Sequence, residues 1–125
     1  MLKNLFLIFL GGGAGSVLRY WLQQLVQKQS HSIFPLGVLA VNVLGSFLIG
    51  IAFALLADRQ EHFMRFLFIV GFCGGFTTFS SFSIDNFVLL KEAHYLMFAL
   101  NVLANVALCL GATLLGVWAF KGANI

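Results

Sequence analysis

The sequence predicts an all-α integral membrane protein, a single four-helix transmembrane domain over residues 1–125, and three observations carry that expectation. The chain is 61% hydrophobic and 9% charged, with a mean hydropathy of +1.00, where about a quarter of the residues of a soluble domain are charged. Long stretches carry no charge at all. The polar segments between them are only a few residues each, which leaves no room for a soluble catalytic domain.

The first span is expected from about Leu5 to Val26, with Arg19 as its one charge near the far end. Lys3, the apolar run Leu5 to Leu10 and the small residues Gly11 to Gly15 resemble a signal peptide. The apolar pattern continues through Val17 to Val26, however, and removing it would leave an odd number of spans. The second span, Pro35 to Ala57, is free of charge, and its proline suits a first helical position, where the missing N–H costs nothing. Phe66 to Ile84 and Tyr95 to Phe120 are equally free of charge, and each is near the roughly 20 residues that a bilayer crossing needs. Short polar connections fall at Gln27 to Phe34, Asp58 to His62 and Lys91 to His94.

Four crossings place Lys3, Arg59, Arg65 and Lys121 on one side, with Arg19, Lys28 and Lys91 on the other. So even a distribution gives almost no orientation by the positive-inside rule, and permits insertion both ways round and hence an antiparallel dimer. Gly11 and Gly15, Gly12 and Ser16, and Gly71 and Gly75 have the four-residue spacing that lets helix backbones approach in lipid. Four helices are few to enclose both a core and a pathway, so association between chains is expected.

The third span holds the segment Gly71 to Ser83, in which Gly74 and Gly75 precede Thr77, Thr78, Ser80 and Ser81. That density of glycine and hydroxyl predicts a helix broken at mid-membrane, where freed carbonyls are tolerated only inside protein or beside water, and where channels and transporters place ion sites. The competing reading is an intact helix whose hydroxyls bond back to its own carbonyls. Phe79 and Phe82 share a face, and inward ring edges can line an anion path without formal charge, although among 15 phenylalanines such a pair also fits plain packing. Asn42 lies mid-span in the second helix, and Asn101, Asn105, Cys109 and Thr113 form a stripe on the fourth. Buried amides serve either as interhelical glue or, aligned, as replacements for an ion's water. Arg19 is expensive at the membrane centre and fits an aqueous vestibule or an interfacial anchor. Asp85, after the expected break, receives no chemistry.

Absences narrow the field. There is no nucleotide-binding Gly-Lys-Ser/Thr loop, no His and carboxylate cluster for a transition metal, and no nucleophile with a convincing base, which argues against an enzyme. The net charge of +3 rests on seven scattered Lys and Arg, unlike a nucleic-acid surface. Cys73 and Cys109 sit in apolar runs, where a thiol behaves as a small hydrophobe.

Gly11-Gly-Gly-Ala-Gly-Ser-Val-Leu-Arg-Tyr20, Pro35-Leu-Gly-Val-Leu-Ala-Val-Asn-Val-Leu-Gly-Ser46 and Gly71 to Ser83 together resemble the Fluc (CrcB-type) fluoride channels of bacteria, over essentially the whole chain. The resemblance implies an antiparallel, dual-topology homodimer in the bacterial inner membrane, with two pores through which toxic fluoride leaves the cytoplasm by passive electrodiffusion. It implies a structural sodium ion at the dimer interface, on main-chain carbonyls that by position belong to Gly74 and Thr77. Phe79, Phe82 and Asn42 match the family's pore residues, Arg19 its vestibule arginine, and Ser81 stands where many members have threonine. Asn101, Asn105 and Cys109 stand where some members carry hydroxyls on the fourth helix; the two amides are expected to keep donors along the anion pathway, whereas the Cys109 thiol is a weak one.

Two rivals remain. A proton-coupled exporter of cationic compounds needs an intramembrane acid, which Glu61, Glu92 and Asp85 supply poorly. A structural subunit without transport would make every buried polar residue glue.

Overall fold

The computed structural model describes residues 1–56, 60 and 62–121; Ala57, Asp58, Arg59 and Glu61 of the expected span end and second connection lie outside these. Among the described residues, four helices are long and apolar enough to cross a membrane: α1 (Leu2–Ser30), α2 (Leu36–Leu56), α3 (His62–Lys91) and α4 (Tyr95–Lys121). All four expected spans are present. Three run past the expected limits, because polar and charged residues such as Lys28 and Lys91 complete last turns in which a cation meets the negative end of the helix dipole. The correction matters most in α3, where Asp85 and Asn86 are helical.

Within α3, a turn His62–Met64 leads into a π-helical stretch Arg65–Cys73 and a last α-turn Gly74–Phe76; this half is α3a. Thr77 (φ −87°, ψ 157°) and Thr78 (φ −148°, ψ 119°) have extended backbone. The second half, α3b, is Phe79–Lys91. α1 lies against α3a and α2, α2 against α4, and α3b returns onto α4.

Glycines bring these pairs to backbone contact. A Cβ on Gly11 would press into the Leu67 carbonyl, one on Gly15 into that of Phe72, and one on Gly75 into that of Gly12. The expected small-residue pairs therefore face each other across one seam between α1 and α3a. A second seam joins α2 and α4, where Gly50 meets the Thr113 carbonyl and Gly116 that of Phe47. Cα–H groups facing carbonyl oxygens in this way add weak attraction to close packing.

The α1–α2 connection is tied by one side chain. Gln27 Nε2 donates to the carbonyls of Ser32 (2.9 Å) and Phe34 (3.2 Å), while its Oε1 accepts from Gly37 N–H (3.0 Å), satisfying a free donor at the start of α2. Pro35 precedes that helix by one residue, its carbonyl already accepting from Leu39 at 3.3 Å. The exterior is apolar, with Phe6, Phe9, Leu96 and Leu103 exposed, whereas Asn101 is among the most completely buried side chains. That inversion is what a lipid solvent selects.

Candidate functional site

An open groove of about 520 Å³ runs between α2, α3 and α4. Asn42, Asn105, Gly74, Thr77, Phe79 and Phe82 all line it, together with Gly45, Thr78 and Cys109. The groove thus brings together six of the expected site residues. Asn101, Ser81 and Arg19 are not on its lining: Asn101 is buried behind Asn105, Ser81 belongs to the first turn of α3b, and Arg19 reaches α3a from α1.

The extended pair Thr77–Thr78 is held by side chains that take over helical bonds. Thr78 N–H donates to Asn42 Oδ1 (2.8 Å), and Asn42 Nδ2 donates back to the Thr78 carbonyl (3.2 Å). One amide thereby satisfies both main-chain groups of a residue. Thr78 Oγ1 accepts from Ser81 N–H (3.2 Å), an N-cap that starts α3b. Gly45 leaves the room for this arrangement, since a Cβ there would run into the Thr77 methyl group.

In an uninterrupted α-helix the N–H of Thr78 would bond the Gly74 carbonyl and that of Ser81 the Thr77 carbonyl. Both donors are diverted, to Asn42 and to the Thr78 hydroxyl. Gly74 and Thr77 are therefore carbonyls without their helical partners, on a groove wall. The neighbouring carbonyls are occupied: that of Cys73 by Thr77 N–H and Oγ1 (3.1 Å each), that of Gly75 by Arg19 Nε (3.2 Å) and the Ser16 hydroxyl (3.5 Å). Arg19 thus places its guanidinium at the negative end of α3a. Thr77 also makes the back-bond that the intact-helix reading foresees, within the last turn before the extended residues.

Behind the groove the asparagines form a chain. Asn42 Nδ2 donates to Asn105 Oδ1 (3.2 Å), Asn105 Nδ2 to Asn101 Oδ1 (2.9 Å) and Asn101 Nδ2 to Asn86 Oδ1 (2.8 Å). Their exposures are 9%, 7%, 1% and 9% from Asn42 to Asn86. Asn105 Nδ2 also meets the Asn101 main-chain carbonyl at 2.9 Å. Thr113 Oγ1 donates to the Ser46 carbonyl (3.0 Å) and is spent on joining α4 to α2.

Phe79 and Phe82 both line the groove, with ring centroids 5.3 Å apart and planes tilted by 45°. Phe79 is 78% exposed at the rim. The sequence analysis does not single out Asn86; its signal is the four-residue step from Phe82, beyond the charge-free run that ends at Ile84. Asp85 Oδ2 is buried without a hydrogen-bond partner among the described residues.

Comparison with known proteins places this geometry in context. Residues 6–117 match the family model described as CrcB-like protein, Camphor Resistance (CrcB). The chain is 48% identical over 117 residues to the fluoride-specific ion channel FluC of Coxiella burnetii (strain CbuK_Q154), covering 91% of this chain and 94% of that protein. It is 45% identical to the FluC of Azobacteroides pseudotrichonymphae genomovar. CFP2 over 118 residues, 93% of this chain and 94% of that one. Against the FluC of Phocaeicola vulgatus the figures are 43% over 118 residues, 94% and 98%.

Proposed function

We propose, from the premise that the chain belongs to the CrcB family, that it is a fluoride-specific ion channel. The observation that carries this is the likeness over more than nine-tenths of its length to relatives named as such channels. It is a multi-pass membrane protein, and the bacterial inner membrane is the location we infer. Two copies in antiparallel orientation would form the conducting unit. The open groove with Phe79 at its rim and the nearly even division of positive charge both support that arrangement.

The residues supply a chemically coherent path. Fluoride is small and strongly hydrated, so a narrow passage must replace its water with donors and positive edges. Phe79, Phe82 and Cys109 line the groove with Asn42 and Asn105. Both Nδ2 hydrogens of each asparagine are already engaged with protein acceptors, so either amide would meet fluoride by exchanging one of those bonds. Asn101 works from behind Asn105, and Ser81 lies beside the Thr78 cap, its hydroxyl 3.2 Å from Thr78 Oγ1. Arg19 adds a positive charge at the depth of the extended residues, where a vestibule would gather anions. Passage is passive: fluoride follows its electrochemical gradient outward.

Gly74 and Thr77 fit a sodium ion, because their carbonyl oxygens are hard ligands stripped of helical donors. With the same two carbonyls from a second copy they would hold the ion at the interface, where its charge would tie the two copies together.

The test is fluoride efflux from liposomes containing the purified protein, read with a fluoride electrode and compared with chloride-loaded liposomes. Rapid fluoride release without chloride release is expected, and Phe79→Ile should abolish it while leaving a folded dimer. No release from folded wild-type protein would sink the reading and return the exporter and subunit alternatives.

A further inference from the structure

We propose that Asn86 is a positioning residue for the anion pathway: by accepting from Asn101 it completes a one-way chain of four side-chain amides that holds Asn42 against the extended backbone of Thr78. The flux arm of this inference rests on the channel reading above; the chain itself does not.

Every link donates in the same direction, from Thr78 N–H to Asn42, then to Asn105, Asn101 and Asn86. An amide that accepts at its oxygen becomes a better donor at its nitrogen, so links pointing one way strengthen one another. Two main-chain groups set the direction. Thr78 N–H can only donate, which turns Asn42 Oδ1 toward it, and the Asn101 carbonyl can only accept, which turns Asn105 Nδ2 toward that. With Asn42 and Asn105 fixed, Asn101 must present its oxygen to Asn105 and its Nδ2 to whatever lies beyond.

What lies beyond is Asn86 Oδ1 at 2.8 Å, the shortest side-chain link of the series. Asn101 is 1% exposed, so water cannot stand in for that acceptor. Without it the Asn101 amide carries an unsatisfied buried donor, and its simplest relief is to rotate. Rotation turns a donor toward Asn105 Nδ2, and two donors cannot share a link. The disturbance then runs through Asn105 to Asn42 and the bonds that keep Thr78 out of the helix. Asn86 lies one helical turn beyond Phe82 and is absent from the groove lining, so its effect on conduction must pass through the amides.

The experiment compares wild type, Asn86→Leu and Asn86→Asp as purified dimers. Fluoride efflux is measured alongside amide resonances from protein labelled with ¹⁵N on threonine and asparagine; threonine occurs only at positions 77, 78 and 113. Asn86→Leu should slow efflux by about tenfold or more, the scale of one unsatisfied buried donor, and should shift the Thr78 main-chain and Asn42 side-chain resonances. Asn86→Asp keeps an oxygen at the accepting position, and should hold both resonances and retain efflux within about threefold. If the leucine variant yields no folded dimer, Asn86→Ala removes the same acceptor without added bulk and is read the same way. Unchanged efflux, or slowed efflux with both resonances unmoved, would overturn the proposal. A wild type that does not conduct would defeat the channel reading alone, since the resonances still decide whether the chain reaches Thr78.

Discussion

The seam between α1 and α3a and the junction of α2, α3b and α4 bury backbone in lipid by opposite means. In the seam, Gly11, Gly15 and Gly75 let main chains touch, and contact depends chiefly on shape, with only Ser16 and Arg19 adding side-chain donors to the Gly75 carbonyl. At the junction, Asn42, Asn105, Asn101 and Asn86 satisfy one another and the main chain of Thr78, and contact depends on which atom donates. Shape tolerates no added volume, while a directed chain tolerates volume poorly and reversed polarity not at all. The first region therefore governs whether the protein assembles, and the second how its pathway is set.

Substitution can break that division. Gly11→Val has the largest expected effect, because the new Cβ meets the Leu67 carbonyl and main chain cannot swing aside; a loss of about 3 kcal/mol or more is expected. It would be seen as little monodisperse protein in detergent, and a well-folded, conducting Gly11→Val protein would refute the seam. Asn42→Leu removes the partner of Thr78 and orphans Asn105 Oδ1, costing about 2 kcal/mol of stability. Efflux should be nearly lost while the protein stays folded, and full efflux would detach the amide chain from conduction.

Two smaller changes sharpen the contrast. A Cβ on Gly13, two residues from Gly11, meets nothing within 4 Å among the described residues, so Gly13→Ala should be neutral or gain about 0.5–1 kcal/mol through helix propensity. Thermal unfolding in detergent would record it, and a large loss would mean that the seam extends round the helix. Thr113→Val deletes one interhelical bond to the Ser46 carbonyl, for which about 0.6 kcal/mol is typical. Efflux should not change, since Thr113 is spent on joining helices.

The four spans were legible because a bilayer demands length and apolarity together, and both are written in the charge-free runs. Helix ends were less legible, since Lys28 and Lys91 serve helices as well as loops. The glycine pairs on α1 and α3 were legible from their spacing, but the Gly50 and Gly116 seam was not, because each glycine acts singly on its own helix. The asparagine stripe on α4 could be read from its period. Its direction could not, for that depends on Thr78 and on a main-chain carbonyl whose neighbours only the fold supplies. The π-helical stretch had no signature such as proline, and the partner of Arg19 on a distant helix could not be read from order along the chain.

The glycine seams also bear on heredity. Most positions in a protein have a near neighbour in chemical space, as Leu has Met or Ser has Thr. A glycine whose Cα rests on a carbonyl oxygen has none, because the smallest missense change its codon can undergo still adds a carbon atom. At Gly11, Gly15, Gly50, Gly75 and Gly116, mild and severe alleles therefore collapse into one class. Any genetic screen for partial function should find its intermediate phenotypes elsewhere, among the amides.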